Sequence, residues 1–259
     1  MRFAAAIEYQ GTAYQGWQKQ PHAESVQQHV TAALSKIADH QIDIVCAGRT
    51  DSGVHARYQV IHFDSSASRV PYNWLRGVNS NLPEDIVCLW VVEVDEQFHA
   101  RFSAQQRAYR YVIYNHHTRP AILANQVTWE RQALNLEDMQ QAASYLLGEH
   151  DFTSFRTVHC QAKSPVRTVH SLEIQQHDVF IYMDIIANAF LHHMVRNIAG
   201  VLMSVGCGEQ PVNWVSDVLQ AQDRSRAGVT ASSHGLYLTS VKYPANYQLP
   251  APPALITFG

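Results

Sequence analysis

The chain has 259 residues, of which 46% are apolar and 16% charged, and a formal net charge of −3. That balance describes a globular chain with material for one large or two modest cores, and it excludes disorder and a uniformly basic nucleic-acid binder. The start meets Glu8 too soon for a signal-peptide apolar region, no apolar stretch approaches the roughly 18 residues of a membrane span, and Cys46, Cys88, Cys160 and Cys207 lack C-x-x-C spacing, so a reduced, cytoplasmic protein is expected.

In chain order, residues 2–10 read as a strand ending at Gly11. Ser25-Val26-Gln27-Gln28 has capping-box form, and Val26, Val30, Ala33, Leu34 and Ile37 follow at helical spacing. The apolar run 42–46 predicts a short strand, 58–63 another, and Pro71 opens a helix to about Asn79. Residues 86–94 make a strong strand. The resulting β-α-β-β-α-β order is that of a ferredoxin-like or RNA-recognition-type sheet.

A second unit begins near residue 98. It has a strand at 108–115, a helix at 135–147 with an Asn cap, a hairpin of 166–175 and 179–187, helices at 190–205 and 211–220, and a last strand at 236–241. Glu149-His150-Asp151 reads as a polar loop. The expected organisation is a mixed α+β protein: an α/β subdomain over 1–97, a second over 98–244, and an extended tail over 245–259.

Charge is unevenly spread. Arg101, Arg107, Arg110 and Arg119 fall between Gln97 and Trp129 without an acid, and arginines outnumber lysines fifteen to four. Planar guanidinium groups suit bidentate phosphate contacts and stacking on bases. The fifteen histidines invite a metal reading, but the pairs His116-His117 and His192-His193 diverge on any regular element, and no zinc spacing occurs. Neither a P-loop nor a dinucleotide fingerprint is present, so no metal and no nucleotide cofactor is expected.

The most informative string is Ala47-Gly48-Arg49-Thr50-Asp51-Ser52-Gly53-Val54-His55-Ala56. It sets one carboxylate between two glycines at the end of a predicted strand, where it projects into a cleft or simply caps a turn. The string resembles the catalytic loop of the tRNA pseudouridine synthase A family. Other segments extend the resemblance: Tyr9-Gln10-Gly11-Thr12-Ala13-Tyr14-Gln15-Gly16-Trp17-Gln18-Lys19-Gln20, Phe98-His99-Ala100-Arg101-Phe102-Ser103-Ala104, Tyr109-Arg110-Tyr111, Phe190-Leu191-His192-His193-Met194-Val195-Arg196-Asn197-Ile198, and Gly235-Leu236-Tyr237-Leu238. Cys46, Ser52 and Ala189 depart from the commoner family residues without removing a charge.

The resemblance implies a pseudouridine synthase fold of two ferredoxin-like subdomains around a central cleft. It implies an isomerase without cofactor that breaks the C1′–N1 bond of uridine and rejoins C1′ to C5, at positions 38, 39 and 40 of the tRNA anticodon stem-loop. Asp51 is then the catalytic carboxylate, as nucleophile or base, with Arg196 as its ion-pair partner. Tyr109 stacks on the extracted uracil, with its hydroxyl near the C5 proton, and Arg49 takes the space of the displaced base. Arg110, Phe155 and His192 are further expected substrate contacts, and a homodimer sharing one tRNA is the expected assembly. Read on residue type alone, a surface arginine is the favoured reading of Arg196, and Tyr109 is equally a core aromatic. Other tRNA or RNA sites, a non-catalytic RNA-binding protein and a metal-dependent RNA hydrolase are the competing functions.

Overall fold

The computed structural model describes residues 1–258 except residue 159. They fall into two compact units: Met1–Gln105 with Tyr237–Leu255, and Gln106–Leu236 with the residues from Ile256 onward. The architecture is mixed α+β, as expected. No helix among the described residues is long and apolar enough to cross a membrane.

In the first unit, β1 (Arg2–Tyr9) lies between β3 (His55–Asp64) and β4 (Ile86–Val94), antiparallel to both. β1 carries the run Phe3-Ala4-Ala5-Ala6-Ile7, buried on both faces, as a central strand requires. The other edge of β3 is shared. β2 (Ile44–Cys46) pairs antiparallel with its far end, and β10 (Leu236–Lys242) pairs parallel with its start, at Tyr237↔His55 and Leu238↔Ala56. The order β4-β1-β3-β2 is the ferredoxin-like one anticipated from the sequence.

Helix α1 (Val26–Ala38) starts where Ser25 accepts a bond from the Gln28 amide, and α2 (Pro71–Asn79) has its proline in the first turn. Trp74 of α2 packs against Phe3 and Phe63, with ring centroids at 5.6 and 5.1 Å. This aromatic cluster ties helix to sheet and adds roughly 0.5–1.5 kcal/mol per pair beyond simple burial.

In the second unit, β5 (Gln106–Asn115), β9 (Phe180–Ala187), β8 (Val166–His177) and β7 (Gly148–Asp151) pair antiparallel in that order, and β6 (Thr128–Glu130) runs parallel to the end of β5. The β8–β9 turn places Asp178 at φ 52°, the left-handed conformation a two-residue hairpin needs. Helices α3 (Leu136–Ser144), α4 (Met194–Gly206) and α5 (Trp214–Ala221) complete it. Asn135 caps α3 by accepting from the amides of Glu137 and Asp138.

Two expectations need correction. The polar stretch 149–151 is strand β7 rather than a loop, because an edge strand satisfies its backbone on β8 alone and lets polar side chains stay exposed or half-exposed. The helix predicted over 190–205 begins four residues later, because His193 adopts φ 65° and ψ 3°, which no right-handed helix can contain. His192, expected inside this helix, therefore lies outside α4.

One buried titrating group sets an acid limit on the first unit. His62 on β3 accepts a 3.0 Å bond at Nδ1 from the Ala100 amide and packs against the rings of Phe98 and His99. Burial, reinforced by the charge of Arg2, lowers its pKa to about 4. The fold selects the neutral ring, so this stabilisation is whole above the ordinary pKa near 6.5 and is lost as pH falls toward 4. The expected outcome is a melting temperature that declines between pH 6.5 and 4 and declines less in His62→Asn, whose amide oxygen accepts the same bond without titrating. Parallel pH profiles for the two proteins would overturn this assignment.

Candidate active site

The loop after β2 is held on a bed made by the segment Gly11–Trp17. Ala47 still bonds to β3, its amide donating to the Val60 carbonyl at 2.8 Å. The fully buried Gln59 side chain then clamps Gly48 from both ends, accepting from its amide and donating to its carbonyl. Thr50 bonds through Oγ1 to the Tyr9 hydroxyl at 2.7 Å, and its carbonyl accepts from the Trp17 amide at 3.1 Å. Gly53 donates to the Tyr14 carbonyl at 3.3 Å, and Val54 closes the turn on the Asp51 carbonyl at 3.1 Å. Asp51 is half-buried at the head of this turn, and Arg49, two residues earlier, is exposed.

Three glycines make the bed possible. Gly53 and Gly16 have φ of 77° and 85°, the left-handed region that disfavours a side chain. A Cβ at Gly16 would also stand 2.5 Å from the Thr50 carbonyl oxygen, and one at Gly11 would stand 2.0 Å from that of Val54. The glycines of the N-terminal motif thus let two backbones touch. Below the loop, His55 Nδ1 accepts from the Gly11 amide at 3.0 Å, which puts the ring proton on Nε2, and the ring stacks on Tyr237 at 4.7 Å.

In the second unit, Tyr109 on β5 is 8% exposed and meets Phe190 edge-on at 5.0 Å. Tyr111, on the same face of the strand, is fully buried, its hydroxyl bonded to Thr128 Oγ1 at 2.6 Å and to the Ser232 carbonyl at 2.8 Å. Burial pushes the Tyr111 hydroxyl pKa well up, opposed by the Thr128 bond and by the charge of Arg196. The guanidinium of Arg196 therefore sits within electrostatic reach of this tyrosine. It stands in the first turn of α4, where Nε donates to the Ala231 carbonyl at 2.9 Å while the Ala231 amide donates back to the Arg196 carbonyl at 3.1 Å.

Neighbouring Asn197 locks the same loop. It donates to the Phe155 carbonyl at 2.7 Å and accepts from Thr230 Oγ1 at 2.6 Å and Arg224 at 3.2 Å. A Cβ at Gly200 would stand 1.9 Å from the Val229 carbonyl oxygen, so loop and helix backbones are in contact.

The remaining expected substrate contacts fare differently. His192 is exposed, beside His193 with ring centroids 4.3 Å apart. Phe155 is fully buried against Phe152 and serves the core. Arg110 is 7% exposed. Its guanidinium forms a two-pronged pair with Asp184 at 2.8 and 2.7 Å, donates to the Ile256 carbonyl at 2.7 Å, and lies 4.7 Å over the Tyr182 ring. Both turn into the unit rather than toward a ligand. Sequence reasoning passed over Gln59, Asn197 and the loop at 224–231, whose bonds join residues far apart in the chain.

A family model described as tRNA pseudouridine synthase matches residues 5–103 and 142–244, and so takes in the Asp51 loop, its bed and the start of α4. The chain belongs to the tRNA pseudouridine synthase family. Curated relatives named tRNA pseudouridine synthase A agree across nearly the whole length. That of Psychromonas ingrahamii is 54% identical over 98% of this chain and 97% of its own, and that of Vibrio cholerae is 54% identical over 98% and 96%. The Legionella pneumophila relative is 54% identical over 96% and 95%. Enzymes of this family are isomerases acting on uridine in tRNA, and the matched range includes the loop bedded on Gly11–Trp17.

Two outcomes test this geometry. Gly16→Ala should lower pseudouridine formation at least tenfold while circular dichroism stays native, because the added methyl strains φ and displaces the Thr50 carbonyl. Asp184→Ala, which strands the Arg110 charge, should destabilise by about 3 kcal/mol in chemical denaturation. Its tRNA affinity under native conditions should stay within about threefold; a loss of affinity without loss of stability would return Arg110 to the substrate.

Proposed function

We propose that the chain converts uridines 38, 39 and 40 of the tRNA anticodon stem-loop to pseudouridine, with Asp51 as the reacting carboxylate. The observation that carries this reading is the rigid presentation of a half-buried carboxylate on a glycine-supported turn, inside the segment that matches the family. The choice of positions rests on the close resemblance of all the motifs to the tRNA pseudouridine synthase A family.

The chemistry needs no co-reactant. The C1′–N1 bond breaks as Asp51 either attacks C1′ or removes a proton that starts departure of the uracil. The uracil turns and C5 bonds to C1′, which displaces the Asp51 carboxylate in the first route and is followed by return of the abstracted proton in the second. The C5 proton then leaves and N1 takes up a proton, so atoms and charge balance and Asp51 is regenerated. Asp51 must be ionised to begin, and the fixed guanidinium of Arg196 is its proposed counter-charge. Tyr109, held edge-on by Phe190, is the proposed stacking surface, with its hydroxyl at the C5 proton. Exposed Arg49 is suited to fill the space left when the nucleotide leaves its stack, a rearrangement costing a few kcal/mol.

A homodimer in the cytoplasm, with basic surface from both chains on one tRNA, reconciles the net charge of −3 with an anionic substrate.

The decisive experiment is tritium release from C5-labelled uridine in a tRNA transcript. Wild type should release label in proportion to uridines at 38–40. Asp51→Asn should fall to background while binding the same transcript within about threefold. Turnover retained by Asp51→Asn would end the catalytic assignment, and release from a transcript lacking uridine at 38–40 would move the site.

A further inference from the structure

Phe102 stands out on the first unit: it is a large aromatic 76% exposed, yet firmly positioned. Its ring stacks on His99 at 4.3 Å with planes 26° apart, and His99 in turn lies 4.8 Å from buried His62. The turn beneath is closed on itself. His99 Nδ1 accepts from the amides of Arg101 and Phe102 at 3.2 and 3.1 Å, and Ser103 bonds back to both ends of His99 at 2.9 and 3.0 Å. The Ala100 amide is spent on His62, and its carbonyl accepts from the Tyr243 hydroxyl at 2.6 Å. A single exposed aromatic needs no explanation. One that is stacked on a histidine ring over a pinned turn is pre-organised to receive something flat on its open face.

The surroundings are cationic. Arg101 lies 5.6 Å from the centroid of the Phe102 ring, and both Arg101 and Arg49 are exposed. Burial raises the Cys46 thiol pKa to about 11, and the charges of Arg49 and then Arg101 oppose the rise. Both guanidinium charges therefore act on one thiol, at the end of the strand that feeds the Asp51 loop. A flat aromatic face flanked by two arginines matches an unstacked base and its phosphates.

We infer that Phe102 is a stacking platform for an unpaired nucleotide of the substrate tRNA, with Arg101 on the adjoining phosphate. The base takes the place of the Arg101 guanidinium over the ring, and the released guanidinium meets the flanking phosphate. This inference rests on the proposed tRNA substrate and adds a residue that positions RNA without touching the reacting atoms.

The test measures tRNA binding by filter retention at several salt concentrations and turnover by tritium release, on one transcript. Phe102→Ala should raise Kd and KM about tenfold, within the range of a single base–aromatic stack, and leave kcat within about twofold. Phe102→Trp should restore both constants and Phe102→Leu should not, while all three melt like wild type. Arg101→Gln should reduce the slope of log Kd against log salt by about one. Unchanged binding by Phe102→Ala, or full rescue by Phe102→Leu, would overturn the platform while the reaction stands. Loss of RNA affinity in Phe102→Ala, alongside a wild type that binds tRNA but releases no tritium, would support the platform and overturn the reaction.

Discussion

The Asp51 loop has little to hold it except another stretch of backbone. Carbonyls and amides of Tyr14, Gly16 and Trp17 approach those of Thr50 and Gly53 so closely that only glycines at 11 and 16 leave room. Side chains serve this contact: Gln59 fastens the start of the loop, the Tyr9–Thr50 bond its middle, and His55 its exit. A carboxylate used in covalent or proton chemistry has to keep its position to a fraction of an ångström, and a turn on side-chain contacts alone would not hold it so. β1, which carries Tyr9 and leads into the bed, is an inner strand paired along both edges, so a buried element of the unit anchors the site.

The second unit solves a parallel problem with a helix and a loop. Arg196 and Asn197 stand side by side at the start of α4, and both use their polar groups on the loop that runs from Arg224 to Ala231. The left-handed turn at His193 starts the helix there, which sets the direction in which Arg196 leaves it. A positive φ at a non-glycine residue is uncommon, and here it falls three residues before the arginine, where it fixes the start of the helix that carries it.

Much of this was legible because it is local. The Ser25 capping box, the Pro71 helix start and the β-α-β-β-α-β order depend on neighbours a few residues apart, and they appear where the spacing puts them. What escaped depends on distant partners or on dihedrals that no residue type announces. Nothing in His192-His193 advertises a left-handed residue, so the helix was expected four positions early. Glu149-His150-Asp151 is too polar to resemble a strand, and only β8 makes it one. Membership of the Tyr109-Arg110-Tyr111 motif suggested a substrate contact for Arg110. The carboxylate of Asp184, 74 residues away, claims that arginine instead. The residue types of the site were readable; the side on which each one works was not.

β3 has a further consequence through its shared edge. Its first residues, immediately downstream of Asp51, receive their last neighbour only from Tyr237 and Leu238. During synthesis that edge stays bare while the ribosome adds about 180 more residues, roughly 10–40 s at ordinary elongation rates. The nascent first unit thus carries an unpaired strand border next to its most demanding loop for that interval.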